Sequence, residues 1–143
     1  MSVAHEQFIG AWRLLSCEVR GPAGQVSYPY GREVAGYILY SADGYMSVSF
    51  MSRERLRFAG DDPRRGTTEE KVAAAETYVS YCGRYEILAD RVRHYVEVSF
   101  FPNWVGGIQE RLFVFEGRRL TLIAPAFMVN GEPQKVYLIW EKV

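Results

Sequence analysis

GYILYSADGYMSVSFM, residues 36–51, is the stretch whose reading decides the fold. Gly36–Ser41 is rich in the aromatic and branched residues that favour strands. Asp43-Gly44 is the dipeptide that best accepts the left-handed corner of a two-residue hairpin. On the return, Tyr45, Ser47 and Ser49 alternate with Met46, Val48 and Phe50, the period-two pattern of a strand with its two faces in different surroundings. Two antiparallel strands joined by a tight turn are expected here.

The same grammar extends in both directions. Phe8–Arg20 (FIGAWRLLSCEVR) reads as a strand stopped by Gly21-Pro22-Ala23-Gly24, and Gln25–Tyr28 as a short strand ending at Pro29. Met1–Gln7 is short and polar, and Ser52–Gly66 is a charged loop. Thr67 followed by Glu70 is a capping box, and Val72, Ala75, Val79 and Cys82 fall at helical spacing. They predict one helix over about 68–81, broken by Gly83. Strands follow at Gly83–Leu88 and Arg91–Phe101 around Ala89-Asp90, and at Ile108–Glu116 and Arg118–Ala124 around Gly117. Pro125–Pro133 reads as irregular with an Asn130-Gly131 turn, and Gln134–Val143 as the closing strand. Eight to nine short strands in meander order avoid unpaired edges by closing on themselves. A closed antiparallel barrel of about eight strands is expected, with an open two-sheet sandwich as the alternative. Such a barrel is just wide enough for side chains or one small ligand.

Composition bounds the function. A chain of 143 residues fits one domain spanning 1–143. Lys plus Arg and Asp plus Glu both total 17, so there is no basic excess to neutralise phosphates, and nucleic acid is not an expected partner. The cluster Arg53, Arg55, Arg57, Arg64 and Arg65 is interrupted by Glu54, Asp61 and Asp62 and reads as a solvated loop. No apolar run is long enough to span a membrane and no signal-peptide pattern opens the chain. Cys17 and Cys82 lie in separate strand-like segments and read as reduced thiols, so a cytoplasmic protein is the expectation. The aromatic load is high, with ten Tyr, eight Phe and three Trp, which suits both a strand core and a small-molecule pocket.

No metal-ligand spacing, phosphate loop or nucleophile elbow is present, so no cofactor is expected. His94 alternates with Val92, Val96 and Val98 on one strand face. Either it moves a proton near neutrality or a neighbouring tyrosine simply satisfies it. Glu97 points the other way. Gln109, Arg111, Phe113 and Phe115 share one face of the next strand. An arginine there grips a ligand carboxylate or enolate, or packs on Trp12 as a fixed cation. Tyr85 is a candidate donor to a developing negative charge. The candidate catalytic set is thus His94, Arg111 and Tyr85. The candidate ligand-binding set is Tyr40, Tyr45, Met46, Val48, Tyr81, Val96, Trp104, Gln109 and Phe113, with Trp104 as a cap over the barrel mouth. The pattern leaves open which face of each strand is inside.

Gly10-Ala11-Trp12 opens the first long strand with the Gly-x-Trp of lipocalins and related calycin barrels. Further stretches are Tyr28-Pro29-Tyr30-Gly31, Gly36–Tyr40 with Asp43–Ser47, Tyr81–Tyr85, His94–Val98, Phe101–Gly106, and Gln109 with Arg111. Together the chain resembles the bacterial and fungal lipocalin-like domain family over nearly its whole length. The resemblance implies a calycin-type barrel that binds a hydrophobic, polycyclic or polyketide-like molecule, in the setting of natural-product pathways. It also implies a basic residue on the closing strand over the Trp, for which Lys142 and Arg111 are rivals. A cofactor-free cyclase or isomerase is one alternative. A non-catalytic interaction protein with a side-chain-filled barrel is the other. The expected partner is the small molecule, with a homodimer left open.

Overall fold

The computed structural model describes residues 3–143. A short helix α1 (Val3–Phe8) precedes β1 (Gly10–Arg20), and a two-residue strand β2 (Val26–Ser27) folds back on its end. β3 (Val34–Tyr40) and β4 (Tyr45–Ser52) form the hairpin read from residues 36–51, with Gly44 at φ 96° in the turn. Helix α2 (Thr68–Glu76) leads into β5 (Tyr78–Ile87) and β6 (Arg91–Ser99). A 3-10 turn (Pro102–Trp104) precedes β7 (Ile108–Glu116), β8 (Arg119–Val129) and β9 (Glu132–Lys142). Each strand from β3 to β9 pairs antiparallel with the next, and β9 pairs back onto β1 from Trp12↔Lys142 to Arg20↔Lys135. The barrel is closed, with eight strands in its wall and β2 as an extra ribbon. Closure removes both edges, and the sandwich alternative falls with it.

Three expectations change. The helix stops at Glu76 rather than 81, because Tyr78–Arg84 are claimed by the ladder to β4. The capping box at Thr67 and Glu70 starts it as read. However, α2 buries none of its residues, so nothing holds a longer helix against the pull of sheet pairing. Second, Pro125–Pro133 is not irregular: β8 and β9 continue through it, with Asn130 (φ 51°) and Gly131 (φ 79°) in the hairpin corner. Pro125 falls where the register slips between Ala124 and Phe127, a place where a missing N–H does no harm. Third, Val3–Gln7 is helical and delivers Phe8, fully buried, into one end of the barrel. Met1 and Ser2 lie outside the described residues.

Phe8 packs edge-on against Tyr40, Phe113 and Phe115, each at 5.0 Å between centroids. The Trp12 indole N–H donates to the Phe8 carbonyl at 2.9 Å. Lys142 on the closing strand lies 4.7 Å above the Trp12 ring and donates to the Ile9 carbonyl. This end is therefore plugged, and the rivalry for the cation over the Trp goes to Lys142. At the other end the strands give way to the 28–31 loop, α2 and the Pro102–Trp104 turn.

Two bulges reset which side chains face inward. Leu15 is the extra residue where β1 slips between Leu14 and Ser16, so Trp12, Leu14 and then Cys17 are all buried. Glu97 is the extra residue opposite Cys82 and Gly83. Val92, His94 and Val96 are buried as expected, but past the bulge Val98 turns out and is 63% exposed. No described helix is long and apolar enough to cross a membrane.

Candidate functional site: a one-ended cavity with a polar pole

Above the Phe8 plug the barrel is hollow. A cavity of about 310 Å³ runs from its mid-section to the unplugged end. Its walls are Ile38, Val48, Phe50, Leu122 and Leu138, and the mouth is framed by Tyr30, Val79, Trp104 and Phe127. Trp140 lies fully buried at the inner end. The interior is thus not filled by its own side chains.

The polar groups gather on one side of this cavity. His94, 1% exposed, projects from β6 between two tyrosines. The Tyr40 hydroxyl lies 2.7 Å from its Nε2, and the Tyr81 hydroxyl 2.7 Å from its Nδ1. A neutral imidazole has one donor and one acceptor nitrogen. One tyrosine therefore donates to the ring while the other accepts from it. Burial, helped by the nearby Arg111, pushes the His94 pKa down to about 3. Burial likewise pushes Tyr81 up to about 12 and Tyr40 well above its ordinary value, with Arg111 opposing both shifts. Cys17, also on the cavity wall, is raised to about 12 by burial and then by Glu18. His94, Tyr40, Tyr81 and Cys17 are therefore all neutral at pH 7.

Arg111 supplies the charge. It projects inward from β7, NH1 donating to the Glu110 carbonyl at 2.9 Å and NH2 to Gln109 Oε1 at 3.0 Å. Both partners are neutral, and they orient the guanidinium without balancing it. The Glu110 carboxylate sits on the outer wall, 2.9 Å from Arg93 and 3.6 Å from Arg91.

Of the residues singled out from sequence, Val48, Tyr81, His94, Trp104 and Arg111 meet at the cavity. Tyr40, Met46, Tyr85 and Val96 are buried in the wall and core beneath it, and Phe113 packs on Phe8. Gln109 serves as the prop for Arg111. Tyr85 does not aim at a ligand: its hydroxyl donates to the Ser41 carbonyl at 2.6 Å, tying the plugged end to the β3–β4 turn. Tyr45 lies outside the barrel, 45% exposed with Arg84 over its ring, because alternation sends it opposite to Met46. Sequence reasoning missed Cys17, Tyr30, Ala124 and the inward row Val136, Leu138 and Trp140. That last row was visible as period-two spacing in the closing strand. Cys17 was not, since a bulge decides its face.

The lipocalin-like domain profile matches residues 9–143. The chain belongs to the lipocalin-like domain family. Its Gly-x-Trp strand and closing-strand lysine thus sit where a calycin barrel needs them. The chain is similar to the 4'-hydroxy-3'-methoxypropiophenone carrier protein of Aspergillus oryzae (strain ATCC 42149 / RIB 40). It is 32% identical over 107 residues, covering 68% of this chain and 96% of the relative. Among solved structures, an uncharacterized protein from Bacteroides eggerthii DSM 20697 aligns over 95% of this lipocalin-like chain and 99% of its own, at 14% identity and a TM-score of 0.46.

Proposed function

We propose that this protein is a carrier that holds one small, largely apolar aromatic molecule in its barrel and releases it unchanged. The observation that carries this reading is the one-ended cavity of about 310 Å³, greasy along its walls and polar at a single pole. That volume lies at the lower end of the range for ligand pockets, roughly 300–1,000 Å³, and suits a one- or two-ring compound. The compound for which the relative is named, an aryl ketone with a phenol, has this shape: an apolar ring and few oxygens. The family setting in natural-product pathways is consistent with it.

The geometry favours carriage over the cyclase or isomerase alternative. A general base needs a nitrogen within reach of the substrate, and both nitrogens of His94 are held by tyrosines. Two thiols on non-neighbouring strands, Cys17 on β1 and Cys82 on β5, suit a reducing compartment, and we place the carrier in the cytoplasm on that ground.

The test is a titration with 4'-hydroxy-3'-methoxypropiophenone itself, read by quenching of Trp104 and Trp140, with chromatography of the released compound. Saturable one-to-one binding and recovery of unaltered ligand are expected. At a hundredfold excess over Kd, binding adds about 2.7 kcal/mol, a rise in melting temperature of roughly 5–10 °C for a domain of this size. Ala124→Trp places a ring in the cavity from β8. It is expected to weaken binding at least about tenfold while leaving the melting temperature of the free protein within a few degrees. Absence of saturable binding and of any thermal shift with a panel of one- and two-ring aromatics would sink the reading, and conversion of the compound would replace carrier with catalyst.

A further inference from the structure

Resting on that reading and sharpening it, we propose that the cavity selects apolar monoanions, ligands with a greasy body and a single acidic oxygen group, and that Arg111 is the residue that reads the charge. Arg111 is half-buried on the cavity wall, and among the described residues its hydrogen-bond acceptors are the neutral Glu110 carbonyl and Gln109 Oε1. A guanidinium carries five N–H donors and does not lose its proton. N–H groups therefore remain, in the planar fork that fits two oxygens of one acid group. None of the cavity-lining residues is an acid, and among the described residues no ion pair involves Arg111. The carboxylate closest in sequence, Glu110, is turned outward onto Arg91 and Arg93 by strand alternation.

The groups around the guanidinium offer it no negative charge. From β3 comes Tyr40, from β5 Tyr81 and from β6 His94, and each is held neutral above all by burial. Arg111 is also not needed as the structural cation, since Lys142 covers Trp12 and bonds the Ile9 carbonyl. A cation left without a counter-charge beside an apolar void is a costly arrangement for stability alone. It becomes favourable when a ligand brings the anion. Tyr81, on the same wall, supplies a neutral hydroxyl beside it.

The test uses two probes with the same two rings, naphthalene-1-sulfonate and naphthalene itself, each read by quenching of Trp104 and Trp140. The sulfonate stays charged across the working pH range. In the native protein the sulfonate is expected to bind roughly 10- to 100-fold tighter than the neutral probe, the range for one charged hydrogen-bonded contact. Arg111→Met should abolish that advantage and leave the neutral probe within about twofold. Arg111→Lys, which keeps the charge but loses the fork, should fall between. Equal affinity of both probes for the native protein overturns the charge reading while the carrier reading stands. The same holds if Arg111→Met weakens both probes alike with an unchanged melting temperature. Failure of both probes to bind the native protein counts against the cavity as a binding site.

Discussion

Replacing His94 with alanine is expected to lower the unfolding free energy by roughly 4 kcal/mol, measured by urea denaturation at pH 7. Two effects add. Removing a side chain that is 1% exposed leaves a void in the barrel wall, and the surrounding β5 and β6 backbone is too constrained by its ladders to collapse into it. The loss also strands the Tyr40 and Tyr81 hydroxyls, each 2.7 Å from a ring nitrogen. A buried hydroxyl without a partner costs about 1–3 kcal/mol. His94→Gln retains a donor and an acceptor and should cost less than half as much. A loss below about 1 kcal/mol for the alanine variant would show that the tyrosine pair does not depend on the imidazole.

The same residue sets an acid limit. Its folded pKa, about 3, lies below the ordinary 6.5. Between those values the unfolded chain binds a proton that the folded chain refuses, so this contribution to stability is complete above about 6.5 and is lost as pH falls toward 3. One such proton makes a slope of about 1.4 kcal/mol per pH unit. His94→Gln removes that slope, whereas the carboxylates of Glu18, Asp90 and Glu110, all held low, titrate alike in both proteins. The native protein's advantage over His94→Gln, under about 2 kcal/mol at pH 7, should therefore vanish and reverse by pH 4, a swing of about 3 kcal/mol. Parallel pH curves would mean that the folded protein accepts the proton.

Gly83→Ala is expected to cost about 3 kcal/mol or more and to depress ligand binding with it. The residue sits where β5 faces the Glu97 bulge of β6, and a methyl group there would overlap the Tyr95 carbonyl oxygen. The obstacle is backbone rather than the end of a mobile side chain, so relief requires the two strands to part. Parting them draws Tyr81 and Tyr85, which flank Gly83 on the inner face of β5, away from His94 on β6. The melting temperature should fall by roughly 6–12 °C, and neutral-probe binding should weaken in the same variant. Stability within about 0.5 kcal/mol of native would mean the bulge has slack to absorb a methyl group.

Much of the barrel was legible in local pattern. Asp43-Gly44, Ala89-Asp90, Gly117 and Asn130-Gly131 each mark a corner that the chain turns. Thr67 and Glu70 mark where the helix begins. Its end was not legible, since Val72, Ala75, Val79 and Cys82 satisfy a helical period while Val79 and Tyr81 also satisfy a strand period. Pairing with β4 settled the matter, because ladder bonds and an inward Tyr81 outweigh a helix that buries nothing. The six residues of α1 carry no periodic signal at all. Only the destination of Phe8 explains them.

By itself the sequence determined the strand order, the turn positions and the presence of one histidine and one arginine on inward-capable faces, because alternation and turn chemistry act over two to four residues. Tertiary structure alone decided which end is plugged, which way Cys17 and Val98 point past their bulges, that Lys142 rather than Arg111 covers Trp12, and that His94 lies between Tyr40 and Tyr81. Those outcomes depend on contacts between segments far apart in the chain, and a single extra residue in a strand is enough to turn every later side chain to the opposite face.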